Sequence, residues 1–76
     1  MNNKRRASLQ EASQLLGRAV VIIERVSDDE QDAMDNYPEN LQSTEKFEAM
    51  ESAVDNLNDA VEKISEAKEH IDSAKQ

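Results

Sequence analysis

Glu48 with Glu51, and Glu69 with Asp72, are carboxylate pairs spaced to fall one turn apart on one side of a helix. Such pairs could hold a magnesium ion, the first requirement of metal-assisted nucleotide hydrolysis. The ion needs the two pairs to converge. Here both lie on one predicted helix, with ~27 Å of rise between Glu51 and Glu69. They also occupy its outer positions, where charges are routine on the surface of a helical bundle.

Other chemical candidates read the same way. The acidic run Asp28, Asp29, Glu30, Asp32 and Asp35 is similar to a calcium loop, but Ala33 stands where that loop requires glycine. The only histidine, His70, has Ala67 three residues before it, so the inward Glu-x-x-His pair of di-iron bundles is missing. No serine or lysine has a neighbouring base, and there is no glycine-rich phosphate loop. The acidic pairs resemble the magnesium motifs of all-α nucleotide pyrophosphohydrolases, which bring their pairs together from different helices. Only an oligomer could do that here. No catalytic, cofactor-binding or metal-ligating residue is assigned, and an enzyme is not expected.

The elements that position these groups are two helical arms. In the second, Phe47, Met50, Val54, Leu57, Val61, Ile64 and Ile71 alternate steps of three and four, with Lys68 filling the vacant heptad position. Ala53, Ala60, Ala67 and Ala74 recur every seventh residue beside that stripe. Such a repeat marks an amphipathic helix packed along its whole length. In the first arm, Leu9, Ala12, Leu16, Ala19, Ile23 and Val26 follow the same steps, widened by Leu15 and Ile22. Ser27 and Glu30 have capping-box spacing. The unchanged apolar phase nevertheless predicts one continuous helix through them.

Between the arms stands Asn36-Tyr37-Pro38-Glu39-Asn40-Leu41-Gln42-Ser43. Pro38 disfavours helical geometry at Tyr37, and Asn36 suits a helix end. Ser43 or Thr44 can cap the next helix, with Glu45 and Glu48 near its positive end. Leu41 is expected to fold back over the end of the hairpin. The prediction is a single all-α domain: helix about 4–36, connection about 37–43, helix about 44–74. It is a long antiparallel hairpin. Its apolar stripes are broader than a two-helix seam needs. Two copies are therefore expected to pair into a four-helix bundle with a core of Leu9, Leu16, Ile23, Val26, Phe47, Met50, Val54, Leu57, Val61, Ile64 and Ile71.

Away from the main stripe, Ser13, Gly17 and Val21 recur every four residues beside Arg18 and Val20. Glycine inside a helix costs ~1 kcal/mol relative to alanine. Close approach of a partner would explain it, so Gly17, Val20, Val21 and Tyr37 form the candidate partner face.

Charge is unevenly placed. Residues 1–27 carry five bases and two acids, a net of +3, while residues 28–76 carry four lysines and fifteen acids, a net of −11. An acidic surface repels phosphates, which argues against direct nucleic-acid binding. Lys4, Arg5 and Arg6 read as the soluble start of the first helix, near enough to Glu66, Glu69 and Asp72 in a hairpin to pair with them. They precede polar residues rather than a signal-peptide core. The longest apolar run, Ala19 to Ile23, is far short of the ~20 residues of a membrane span. With no cysteine, a bacterial or viral chain of this kind is expected to stay in the cytoplasm.

The run "DDEQDAMDNYPENLQSTEKFEAMESAVDNLNDAVEKI" resembles short acidic helical-hairpin proteins of unassigned function from phages, prophages and mobile elements of Firmicutes. Pro38 to Gln42 is the most specific element. Where many of those proteins carry Arg-Gly after the turn, this chain has Lys46-Phe47. The resemblance implies genetic context rather than chemistry. Three functions follow as expectations. The first is a self-associating module, most simply a homodimer, that binds a host or phage protein. The second is a counter-defence protein that mimics nucleic-acid charge, or sequesters a signalling nucleotide through Lys4, Arg5, Arg6 or Arg18. The third is a magnesium-dependent nucleotide hydrolase built across an oligomer.

Overall fold

Asn2 starts the first helix by accepting the Arg5 backbone N–H at 2.8 Å on its side-chain oxygen. The computed structural model describes residues 1–76. Helix α1 runs unbroken over Asn3–Asp35, so the Ser27 capping-box spacing does not start a new helix. Asn36 ends α1 without entering the left-handed region (φ −94°, ψ 2°). Its backbone N–H reaches Asp32 O, and its side-chain amide donates to the same carbonyl at 2.9 Å. Pro38, extended at ψ 134°, prevents a restart. Glu39–Leu41 form a single 3-10 turn.

Thr44 then caps helix α2, Glu45–Ala74. Its hydroxyl donates to Leu41 O at 2.7 Å and accepts the Phe47 N–H at 3.4 Å. Glu45 and Glu48 in the first turn favour the positive end of the helix dipole. The hairpin is a rod 59 Å long and 15 by 12 Å across. No helix is long and apolar enough to cross a membrane. Tyr37 and Phe47, with ring centroids 5.6 Å apart, close the turn end. Arg6 closes the other end by donating its Nε–H to Lys75 O at 2.9 Å. Leu41, expected to cover the turn, is 40% exposed.

The seam uses the expected stripe on α2 but a different one on α1. On α2 the seam runs through Phe47, Met50, Val54, Leu57, Val61, Ile64, Lys68 and Ile71, with Lys75 next in the same phase and Ala53, Ala60 and Asp72 half-covered beside it. On α1 the seam runs through Arg6, Leu9, Ser13, Leu16, Val20, Ile23, Ser27, Glu30 and Met34 and on to Tyr37 beyond the helix, with Ala12, Gly17 and Ala19 half-covered beside it. Ser13, Val20 and Ser27 therefore take the seam positions expected of Ala12, Ala19 and Val26, while Ala12 and Ala19 stay half-covered beside the seam. Val26, assigned to the core, is 48% exposed. The stripe is shifted by about half a residue step, ~50° around the helix. Leu9, Leu16 and Ile23 border both stripes; the observed one brings Val20 and Met34 into the seam and gives Ser13 and Ser27 hydrogen-bond partners on α2.

Candidate functional surface

Those partners sit along one edge of the hairpin. Ser13 Oγ donates to Asp72 Oδ1 and Ser27 Oγ to Asn58 Oδ1, each at 3.1 Å. Ser27 lies two heptads after Ser13, and Asn58 two heptads before Asp72, so both bonds enforce one register. Both serines are buried and satisfied. On the same edge Lys75 Nζ donates to the Gln10 side chain, and the Lys68 ammonium lies against Gly17. The Ser13 hydroxyl and then the Lys75 ammonium, 3.3 Å away, hold the Asp72 carboxyl below its ordinary value. Asp72 thus pairs with Lys75 rather than with the basic start of α1; Arg6 turns instead to Lys75 O and Asn3.

Every one of these cross-links joins a seam residue to a position one residue past the seam on a facing turn. Because the helices are right-handed and antiparallel, the positions just before the seam residues share the opposite side of the rod. Those positions are Ala12, Ala19, Val26 and Ala33 on α1, and Ala53, Ala60, Ala67 and Ala74 on α2. Leu15 and Ile22 flank the α1 row. The two long sides of the hairpin therefore differ in kind: one is tied by polar bonds, the other is paved with alanine and edged by Leu15 (50% exposed), Ile22 (56%) and Val26. Val54 is the only apolar residue that the hairpin itself buries.

The expected partner face does not assemble. Val20 belongs to the seam, and Tyr37 is half-covered beside Phe47. Gly17 is half-covered and faces Lys68. Only Val21 stands clear, 57% exposed, beside a shallow groove shared with Gln14, Gly17 and Arg18. A second dent, at Met1, Asn2, Lys4, Arg5, Ser8 and Leu9, marks the N-terminus. Glu48, Glu51, Glu69 and Asp72 remain spread along α2, and no three His, Cys, Asp or Glu side chains gather to hold a metal ion.

Folding back also sorts the charge along the rod. The terminal half, residues 1–20 and 65–76, holds six bases (Lys4, Arg5, Arg6, Arg18, Lys68, Lys75) and four acids, a net of +2. The turn half, residues 21–64, holds three bases and thirteen acids, a net of −10. Comparison with protein families, curated proteins and solved structures finds no match.

Proposed function

We propose that this chain is a non-enzymatic, self-associating helical module that works by binding protein, a phage or prophage accessory protein in the cytoplasm of a bacterial host. One observation carries the reading: the alanine-paved side leaves Leu15, Ile22 and Val26 half exposed in a molecule that buries a single apolar residue, Val54. Contiguous apolar surface rimmed by charge marks interaction sites in small proteins. Alanine rows let helices approach closely, and a second hairpin would complete a four-helix bundle. The shallow dents and the dispersed acids support a binding role over catalysis.

Light scattering tests this. The expected mass is twice the 8.6 kDa chain. A monomer, or magnesium-dependent release of phosphate from nucleoside triphosphates, would contradict it.

The charge sorting favours a second reading, in which the acidic turn half occupies a basic, nucleic-acid-binding groove on a host enzyme. Inhibition of such an enzyme that disappears at high salt would support it. Inhibition indifferent to salt would not.

A further inference from the structure

The two long sides of the rod and its two ends differ, and together they specify how a second copy would sit. Resting on the self-association reading above, we propose that two hairpins pack through their alanine-paved sides end over end. The turn of each copy then lies against the termini of the other. The face is 59 Å long and 15 Å wide, on the order of the ~800 Å² that each partner buries in a stable interface.

Two dyads could close such a pair. With the dyad along the rod, the turn halves lie together, −10 against −10, and the terminal halves together, +2 against +2. With the dyad across the rod, each −10 half meets a +2 half. Packed helices are 8–10 Å apart, within about one Debye length at physiological salt, so this difference is felt across the interface. The crosswise dyad is the arrangement the charges select. It passes near Ala19 and Ile22, lays α1 antiparallel on the α1 of the other copy, and brings Leu15 level with Val26. Ile22 then faces the small Ala19. Lys4 and Arg5 come level with Asp32, Asp35 and Glu48 of the second molecule.

The chain has no cysteine, so single cysteines can report the orientation. Ser8→Cys and Ala33→Cys are exposed sites that the crosswise dyad brings together on facing α1 helices. Mixed in equal amounts under mild oxidation, they should give the Ser8→Cys/Ala33→Cys heterodimer. A mixture of Ser8→Cys with Ala74→Cys should give little, because those sites meet only with the lengthwise dyad. The reverse pattern would overturn the orientation and leave self-association standing. No cross-link in either mixture, with the unmodified chain monomeric by mass, would remove both. Raising salt from ~0.05 to ~0.5 M should weaken the dimer by roughly tenfold. Tightening with salt would contradict the charge argument.

Discussion

The ammonium nitrogen of Lys68 lies 3.3 Å from where a side chain on Gly17 would begin. The one glycine of the chain is thus explained inside the hairpin: it opens room for a lysine that fills a seam position on α2. The nearest atom is the far end of a flexible side chain, which can move a few tenths of an ångström at little cost. Gly17→Ala should therefore gain most of the ~1 kcal/mol of helix propensity. The expected rise in melting temperature is roughly 4–8 °C. A fall would mean that the Lys68 position is rigidly required, or that a partner does press on Gly17.

Ser27 and Asn58 form the central polar tie across the seam. A buried serine that loses its acceptor is left unsatisfied, whereas Asn58 is exposed and can turn to water. Ser27→Ala and Asn58→Ala, alone and combined, should give a coupling energy of about 1 kcal/mol in denaturant unfolding. Additive losses would mean that the 3.1 Å bond does not contribute.

Asp72 makes stability depend on pH in a direction that can be worked out. Its folded pKa is lowered, first by the Ser13 hydrogen bond and then by Lys75, below the ordinary 3.8. The unfolded chain therefore takes up the proton first as pH falls. The Asp72 contribution is fully present above about pH 3.8 and is lost as pH drops through the folded value. Protonating the other acids relieves repulsion in the turn half at the same time, so the quantity to follow is wild type minus Asp72→Asn. That difference should be constant near neutrality and shrink in acid. Ser13→Ala should reduce it. A difference that grows on acidification would contradict the assignment.

Much of the fold can be read in the sequence, and particular residues show where reading stops. Pro38 with Thr44 announces the turn, and the steps from Phe47 to Ile71 fix the α2 seam, because only one apolar stripe exists there. On α1, Leu9, Leu16 and Ile23 are shared by two stripes, one adding Ala12, Ala19 and Val26 and the other Ser13, Val20 and Ser27, and the two serines hide the second from a reading of apolar periodicity. It carries no information about what faces those serines. A signal was present: Ser13 and Ser27 are two heptads apart, and so are Asn58 and Asp72. Matching polar positions across a hairpin requires knowing its register, which the turn geometry sets. The open apolar side follows from the same half-step shift of the α1 stripe. Leu15 and Ile22 were visible as a widening of the stripe, but not as the edge of a separate face.

If another copy covers the alanine-paved side, as proposed, folding depends on that contact. Anything that binds only the folded state makes the melting temperature depend on concentration. Thermal unfolding of the wild type should shift to higher temperature over a roughly hundredfold rise in chain concentration. Ile22→Glu, which places a charge at the middle of that side, should melt lower and at a temperature independent of concentration. A wild-type hairpin that melts at one temperature at every concentration, with Ile22→Glu unchanged beside it, would contradict the account.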